Sequence, residues 1–289
     1  MSTSIRLTTL GTGTPRPLPR RSSSCNLVVI GEDHLVFDCG RGAVLQLAKK
    51  GVAWADITRL FVTHHHFDHI GDIADLMITS WQNGRRAPLQ IVGPYATRSI
   101  VDIYLDQIYR RDLEFRTTEF AAHGMPEMST FPRPVATDVE GGVVAEGDGW
   151  RVLAWQVEHG HANFGPLFRK QWICLGYRIE AFGKVLAISG DTVPCEGLRQ
   201  LADGADLLLQ CCWLPSRELD SEYLRGVAKS TLACSDVVGK VAVQAGVKRL
   251  VLTHTRAVTR ESIDSILEDV RRDYTGPVSV AEDMDEFEV

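Results

Sequence analysis

The chain has 289 residues, of which 44% are hydrophobic, and it carries a formal net charge of −6 at pH 7. Such a chain is long enough to bury a large core, and its acidic balance without a basic block disfavours indiscriminate binding to nucleic acids. No apolar run has the length of a membrane span or of a secretory leader, and the seven scattered cysteines are typical of reduced thiols. We therefore expect a cytoplasmic protein that does not associate with membranes.

Short apolar runs alternate with helical patterns in the first half of the chain. Runs bounded by Gly and polar turns predict strands, and segments with helical periodicity predict helices. The predicted strands are Ile5–Leu10, Asn26–Ile30, Leu35–Asp38, Ile57–Thr63 and Leu89–Gly93. The predicted helices are Gly42–Lys50, Asp72–Gln82 and Ala96–Arg110. Residues 121–149 are rich in Gly, Pro and Met and predict a long loop or irregular insertion.

The second half repeats this scheme. Its predicted strands are Trp150–Glu158, Ile173–Phe182, Lys184–Ser189, Ala205–Cys212, Arg249–Thr253 and Val278–Ala281. Its predicted helices are Glu196–Ala202, Ser235–Ala245 and Glu261–Tyr274. Two such halves without a low-complexity linker predict one α/β domain over residues 1–289, with two sheets packed face to face and helices outside.

A dense group of potential metal ligands, His64-His65-His66-Phe67-Asp68-His69, follows the predicted strand that ends at Thr63. Imidazole and carboxylate are the ligands that zinc and similar divalent ions prefer. The spacing His-x-His-x-Asp-His lets one loop offer two ligands to each of two neighbouring ions. Two ions about 3.5–4 Å apart are the usual arrangement for hydrolysing phosphoric and related esters. The motif therefore predicts a metallohydrolase.

Three further potential ligands follow predicted strands in the second half: His159, Asp191 and His254. Each alone could be a solvated residue at a strand end, but together with the dense motif they predict one shared site. His65 alternates away from its neighbours along an extended chain, so we do not expect it to bind metal. His161 could compete with His159, which the strand end favours.

The chain resembles the metallo-β-lactamase superfamily, and within it the ribonuclease Z-type branch. The segments that carry the resemblance are Leu10–Pro15, Phe37–Gly40, His64–His69, Ile188–Thr192 and Leu250–His254. It implies an αβ/βα four-layer sandwich of two mixed sheets, and a homodimer. It also implies two sets of metal ligands joined by one residue. The first set is His64, His66 and His159, the second is Asp68, His69 and His254, and Asp191 bridges them.

These roles predict two Zn²⁺ ions per chain, with Mn²⁺ or Fe as alternatives, and a hydroxide between them as the nucleophile. Asp68 could both bind metal and orient that nucleophile. Asp38 is either a hydrogen-bond partner of a ligand imidazole or a residue that stabilises its own turn. The expected substrates are small phosphodiesters or related anionic esters.

The chain departs from ribonuclease Z in two places. That branch carries a His-Glu pair for proton transfer, whereas no histidine occurs here between His161 and His254, and the corresponding strand end is Gln210–Trp213. Only about thirty residues separate His159 from Asp191, which leaves no room for the arm that grips tRNA. Transfer RNA is therefore not the expected partner.

Several basic residues could compensate for the missing proton donor. Lys229 could stabilise an anionic leaving group as a point charge, or it could be a solvated residue beside a helix. Arg16, Arg20 and Arg21 lie in a Pro-rich loop that could meet an anionic substrate. Without a strong donor, esters with good leaving groups, such as aryl esters, are favoured.

Other functions remain open from the sequence. Within the same fold, they are an arylsulfatase, a ribonuclease Z-type tRNA 3′ endonuclease, a lactonase or β-lactamase-like hydrolase, and an oxidoreductase or sulfur dioxygenase with a single iron. From a different class, the chain could be a nucleic-acid-binding relative that keeps its metals for structure. The intact set of seven ligands argues against a structural role, because structural zinc sites are usually closed and four-coordinate.

Overall fold

The first half of the chain and its last strand form one mixed sheet in the computed structural model, which describes residues 4–289. Its strands are β1 (Ile5–Gly11), β2 (Cys25–Ile30), β3 (Asp33–Phe37), β4 (Ile57–Phe61), β5 (Gln90–Gly93), β6 (Val135–Asp138) and β14 (Asp285–Glu288). They lie in the order β14-β1-β2-β3-β4-β5-β6. The pairs from β14 to β3 are antiparallel, and those from β3 to β6 are parallel.

The second half forms a second sheet with the same number and pairing of strands. Its strands are β7 (Gly142–Gly147), β8 (Trp150–Val157), β9 (Cys174–Ala181), β10 (Lys184–Ile188), β11 (Leu207–Cys211), β12 (Leu250–Thr253) and β13 (Val278–Val280). They lie in the order β13-β12-β11-β10-β9-β8-β7. Three antiparallel pairs join β7 to β10, and three parallel pairs join β10 to β13.

Ten α-helices lie among the described residues 4–289. They are α1 (Ala43–Lys50), α2 (Phe67–Ile70), α3 (Ile73–Gln82), α4 (Thr97–Ile103), α5 (Arg110–Ala122), α6 (Pro166–Gln171), α7 (Glu196–Ala202), α8 (Glu222–Ser230), α9 (Ser235–Gln244) and α10 (Arg260–Arg271). A π-helical turn, Tyr104–Ile108, separates α4 from α5. In the described part of the chain, no helix is long and apolar enough to cross a membrane.

Three apolar layers confirm the predicted αβ/βα four-layer sandwich. Between the sheets, Phe37 stacks on Phe61 with ring centroids 4.8 Å apart, and Tyr177 of the opposite sheet meets both rings edge-on. A second layer packs the first sheet against its helices through residues such as Leu47. A third packs the second sheet against α7, α9 and α10. Burial of these apolar surfaces is the main stabilisation of the fold.

The expected irregular insertion over residues 121–149 is wrong for its second part. Residues 135–138 form β6 and residues 142–147 form β7, so this segment supplies one edge strand to each sheet. Both strands are largely exposed. Edge strands lack the continuous apolar pattern of buried ones, which is why the sequence did not indicate them.

The two sheets are joined directly beside the metal-ligand motif. Leu175 N of β9 donates a hydrogen bond of 2.8 Å to Thr63 O, the residue before His64. The hydroxyl of Tyr177 donates to Val62 O at 2.7 Å. These bonds fix the end of β4 against the second sheet, and the side chains that follow β4 face the strand ends of that sheet.

Candidate metal centre

The seven predicted ligands lie together at one end of the sandwich. His64, His66, Asp68 and His69 follow β4, while His159, Asp191 and His254 follow β8, β10 and β12. They form two groups, within each of which the ligand atoms lie within 4.8 Å of one another. The first group is His64, His66, His159 and Asp191, and the second is Asp68, His69 and His254. All seven residues of the two groups are therefore ones that the sequence predicted as ligands.

The first group contains three imidazoles whose ring nitrogens converge. His66 Nδ1 lies 2.9 Å from His64 Nε2 and 3.1 Å from His159 Nε2. Burial lowers the pKa of His64 and of His159, and it lowers the pKa of His66 to about 4. The three rings are therefore neutral near pH 7, the form in which imidazole binds a metal.

The second group combines one carboxylate with two imidazoles. Asp68 Oδ2 lies 3.2 Å from His254 Nε2 and 3.7 Å from His69 Nε2. Burial opposes ionisation of Asp68, but its hydrogen bond with His254 and the charge of His69 lower its net pKa. The pKa of His69 is raised despite burial, because the Asp38 and Asp191 carboxylates favour its charged form. The carboxylates around this group therefore favour positive charge at the place where a metal would bind.

Asp191 lies between the two groups. Its Oδ2 is 3.9 Å from His159 Nε2 of the first group and 3.6 Å from His69 Nε2 of the second, and its Oδ1 is 3.4 Å from His254 Nδ1. Burial opposes ionisation of Asp191, but the imidazoles of His254, His69 and His159 lower its pKa well below the usual range. One ionised carboxylate thus faces ring nitrogens of both groups.

Three buried polar atoms of the second group have no hydrogen-bond partner among residues 4–289: Asp68 Oδ1, His69 Nε2 and His254 Nδ1. An unsatisfied buried polar group costs about 1–3 kcal/mol. A divalent cation would satisfy such atoms, and nitrogen and carboxylate oxygen are donors that zinc accepts. The residues therefore fit divalent metal ions, which the fold and the His/Asp cluster imply.

Neighbouring groups fix the orientation of the ligand rings. His69 Nδ1 donates to Asp38 Oδ2 at 2.7 Å, and Thr63 N donates to Asp38 Oδ1 at 2.8 Å. His159 Nδ1 donates to Thr231 O at 2.7 Å. Of the two roles expected for Asp38, the structure shows the first, a hydrogen bond with a ligand imidazole. Such contacts set the tautomer, so that the other ring nitrogen faces the metal.

Two residues that touch the site gave no signal in the sequence. The Thr63 hydroxyl lies 3.0 Å from both Asp38 carboxylate oxygens and 3.0 Å from His64 Nδ1. The Trp172 ring lies over His66, with centroids 4.9 Å apart, and its Nε1 donates to His159 O at 3.1 Å. A threonine ending an apolar strand and a tryptophan beside another one are common outside functional sites, so neither stood out.

His65 and His161 lie beside the site but outside both groups, in agreement with the sequence analysis. His65 Nε2 bonds with Thr97 Oγ1 at 2.8 Å. His161 Nδ1 accepts from His159 N at 2.9 Å, and its Nε2 donates to Trp172 O at 2.6 Å. Both histidines therefore use their nitrogens to hold backbone or helix residues around the ligands.

The basic residues proposed to meet the substrate have different surroundings. Arg21 is buried and donates to Thr12 Oγ1 at 2.6 Å and to Ala281 O at 2.7 Å, so its suggested role in substrate binding is wrong. Arg16 and Arg20 are exposed in the same loop. Lys229 is exposed near the end of α8 and has no ion-pair partner within residues 4–289. The next residues after Lys229 contact His159 and Gly160, so α8 borders the first group.

A thiol lines the same cavity as Asp191, and apolar side chains follow it. Cys211 Sγ donates to Thr192 O at 3.3 Å, and burial raises its pKa to about 12. Trp213 and Leu214, which follow Cys211 closely along the chain, form a buried cluster with Leu232 and Cys234. Neither part supplies a group that releases a proton near neutral pH.

A sandwich whose strand ends gather histidine and aspartate into two adjoining groups belongs to the class of metal-dependent hydrolases. The comparisons with known proteins agree. The chain belongs to the Metallo-beta-lactamase superfamily, whose family model matches residues 18–165.

Three known proteins illustrate the likeness. A protein named Ribonuclease Z from Mycobacterium bovis (strain BCG / Pasteur 1173P2) is 30% identical, and the match covers 99% of this chain and 98% of the relative. The crystal structure of the metallo-beta-lactamase fold protein YhfI from Bacillus subtilis has a TM-score of 0.75 and 18% identity, with 100% of both chains covered. That of human tRNase Z, short form, has a TM-score of 0.69 and 21% identity, with 98% of both chains covered. Family, fold and site together identify a metal-dependent hydrolase that acts on ester bonds.

Proposed function

We propose that the chain is a dinuclear zinc hydrolase that cleaves small phosphodiesters or related anionic esters. His64, His66 and His159 would hold one ion, Asp68, His69 and His254 the other, and Asp191 would bridge them. The observation that carries the proposal is the position of Asp191, whose carboxylate oxygens face His159 on one side and His69 and His254 on the other. A bridging carboxylate between two ligand groups is suited to two ions rather than one.

The two ions would supply an activated water and polarise an ester oxygen. The protein's own residues position this machinery. Asp38 holds the His69 ring and Thr231 O holds the His159 ring, so each presents its free nitrogen to the site. Asp68 Oδ1, which makes no hydrogen bond in the described part of the chain, can accept one from the attacking water and orient it.

Lys229 is the proposed cation for the departing oxygen. It is exposed on α8, and the adjacent Ser230 and Thr231 carbonyls contact Gly160 and His159. A flexible ammonium beside the first group could neutralise a leaving oxyanion as a point charge. It would not replace a strong proton donor, so substrates with good leaving groups are expected.

Two features support a small substrate rather than tRNA. The segment between His159 and Asp191 contains β9, β10 and α6, and α6 has only six residues. Near Asp191, the chain has the Cys211 thiol and the apolar cluster that contains Trp213 and Leu232, instead of an acid and a base. Both the gripping arm and the usual proton-transfer pair would therefore be missing.

The second candidate is a ribonuclease Z-type tRNA 3′ endonuclease. The name of the M. bovis relative, which matches nearly the full chain at 30% identity, favours it. Arylsulfatase and lactonase or β-lactamase-like activities use the same kind of site and stay as further alternatives. Zinc over manganese or iron, a cytoplasmic location and a homodimer are parts of the proposal that metal analysis, fractionation and light scattering would test.

One experiment separates these activities. The purified protein is analysed for metal by mass spectrometry and assayed with nitrophenyl phosphodiesters, monoesters, sulfates, lactones and a precursor tRNA. We expect two zinc ions per chain and fastest turnover of a small phosphodiester. The variant His66→Ala should lose turnover and remain folded. One iron per chain would contradict the hydrolase, and cleavage of precursor tRNA ahead of every small ester would favour the endonuclease.

A further inference from the structure

We propose that an aromatic row formed by Phe164, Phe168 and Trp172 binds a planar aromatic group of the ester substrate. The inference rests on the proposed function, because it adds a substrate class to the same site. The row belongs to the short segment between His159 and Asp191, and Phe168 lies within α6. Its inner end touches a proposed metal ligand, and its outer end lies on the surface.

The rings form a continuous path to the metal centre. Phe164 meets Phe168 edge-on with centroids 4.7 Å apart, and Phe168 stacks on Trp172 at 6.0 Å with an interplanar angle of 14°. Trp172 in turn lies 4.9 Å from the His66 ring and 6.1 Å from the His64 ring. A group held against this row would therefore be next to the first ligand group.

The least buried of the proposed ligands lies beside this row. Six of the seven proposed ligands are buried, and His66, which Trp172 contacts, is the one that is only partly buried. An ester reaching the metals would pass Trp172. The outer part of the row exposes apolar surface to solvent, since Phe168 is 48% exposed and Leu167 beside it is 83% exposed. Exposed apolar surface beside a polar reaction site is typical of a binding site for an apolar part of the substrate.

Trp172 is held in place before any substrate arrives. Its Nε1 donates to His159 O, and its carbonyl accepts from His161 Nε2 at 2.6 Å. A fixed aromatic surface gains a stacking contact without losing much side-chain freedom. One of the two hydrogen bonds of His161 thus holds the backbone of Trp172, and the other holds that of His159.

Two basic residues on α6 would also attract an anionic substrate towards the row. Arg169 and Lys170 follow Phe168 on α6, both are exposed, and neither has an ion-pair partner within residues 4–289. Their positive charge would attract an anionic ester towards this end of the fold.

Calorimetric titration of the zinc-loaded protein with phenylphosphonate and methylphosphonate tests the inference. Both probes offer the same anion, and only one offers a ring. We expect phenylphosphonate to bind more tightly, and Phe168→Ala to weaken phenylphosphonate alone by about 3- to 10-fold, the size of an aromatic contact. Phe168→Tyr should retain the preference. Phe115→Ala, which removes a ring that is 62% exposed on α5, is the matched control and should change neither affinity.

Equal binding of the two probes, or equal loss for both in Phe168→Ala, would overturn the aromatic row as a binding site. The same preparations are assayed with bis(4-nitrophenyl) phosphate. Absence of turnover by a protein that prefers phenylphosphonate would contradict the hydrolase proposal and leave the ring contact standing. Turnover of the diester without tighter binding of phenylphosphonate would contradict the aromatic row and leave the hydrolase proposal standing. The two proposals can therefore fail separately. A melting temperature of Phe168→Ala equal to that of the wild type would show that the variant is folded.

Discussion

The Asp38 carboxylate receives a hydrogen bond of 2.7 Å from Nδ1 of His69, and both side chains are almost completely buried. The carboxylate therefore contacts the proposed ligand imidazole at the nitrogen that faces away from the other ligands. The bond directs the other nitrogen of His69 towards Asp68 and Asp191, where it has no hydrogen-bond partner in the described part of the chain. Asp38 therefore acts on the metal centre without belonging to it.

We predict that Asp38→Asn lowers metal affinity. The amide has similar shape but no charge, so the imidazole loses its anionic partner, and such changes cost about 10- to 100-fold in affinity. Competition with a fluorescent zinc chelator measures the effect. The control is Asp264→Asn on α10, where the carboxylate pairs only with Arg260 at the surface. Equal affinities of Asp38→Asn and wild type would refute the orienting role.

The bridging role that we propose for Asp191 predicts different metal contents for two variants. Asp191→Ala should weaken binding of both ions, because the carboxylate faces both groups. His66→Ala should weaken binding of one ion and leave close to one per chain, since His66 contacts only His64 and His159 among the ligands. Mass spectrometry of dialysed samples gives the stoichiometry. If both variants retain the same amount of metal, Asp191 does not bridge.

Metal removal should destabilise the folded protein. A ligand that binds only the native state at 100 times its Kd adds about 2.7 kcal/mol, and unbound metal leaves buried atoms of Asp68, His69 and His254 unsatisfied. We expect a chelator to lower Tm by roughly 5 °C or more. Scanning calorimetry with and without chelator measures this shift, and added zinc should reverse it. An unchanged Tm would argue that the ions contribute nothing to folding.

The metal-free protein should lose stability as pH falls from about 6.5 to about 4. Burial lowers the pKa of His66 to about 4 and also lowers the pKa values of His64 and His159. In this window the unfolded chain binds protons that the folded chain excludes, so the free energy of unfolding decreases towards acid. Urea unfolding at several pH values gives the slope. His66→Gln should show a shallower slope, and identical slopes would contradict the assignment.

The rate should depend steeply on the leaving group. Cys211 is held protonated by a pKa of about 12, and the neighbouring cluster is apolar, so a departing oxyanion receives little help from a proton. A series of methyl aryl phosphates with different phenol pKa values measures the dependence. A flat series would show that a proton donor exists.

Lys229 can be tested in that same series. Loss of its charge in Lys229→Gln should slow the poorest leaving groups most, because they carry the most negative charge when they depart. Lys240→Gln is the control, since Lys240 is an exposed lysine on α9 in a different part of the fold. Equal rates for both variants with every substrate would remove Lys229 from the mechanism.

The sequence predicted what periodicity and ligand chemistry determine. The α1 helix ends before Gly51, which adopts φ 74°, and α7 spans Glu196–Ala202 as its pattern indicated. The seven ligand-type residues each follow a buried strand, and the structure places them together. These features depend on residues that are close in the sequence, so they can be predicted from it directly.

Contacts between distant segments were not predictable in the same way. β14 pairs with β1 at the opposite end of the chain, and α6 and α8 are short helices without a fully buried residue. The arrangement of Trp172 over His66 depends on how the loop after β8 folds back. The prediction for Arg21 is wrong because a charged residue in a loop is usually solvated. Here the side chain is buried and donates to two acceptors inside the protein.

Each ligand group draws on both halves of the chain. His64 and His66 come from the first sheet and meet His159 and Asp191 from the second, while Asp68 and His69 meet His254 in the same way. Neither half carries a complete set, so an ion in either position would fasten one sheet to the other. A core substitution that slides the sheets past each other would misalign both sets of ligands at once. Activity in this molecule would then respond to packing far from the reacting atoms, and repair of that packing could restore it without a change at the site.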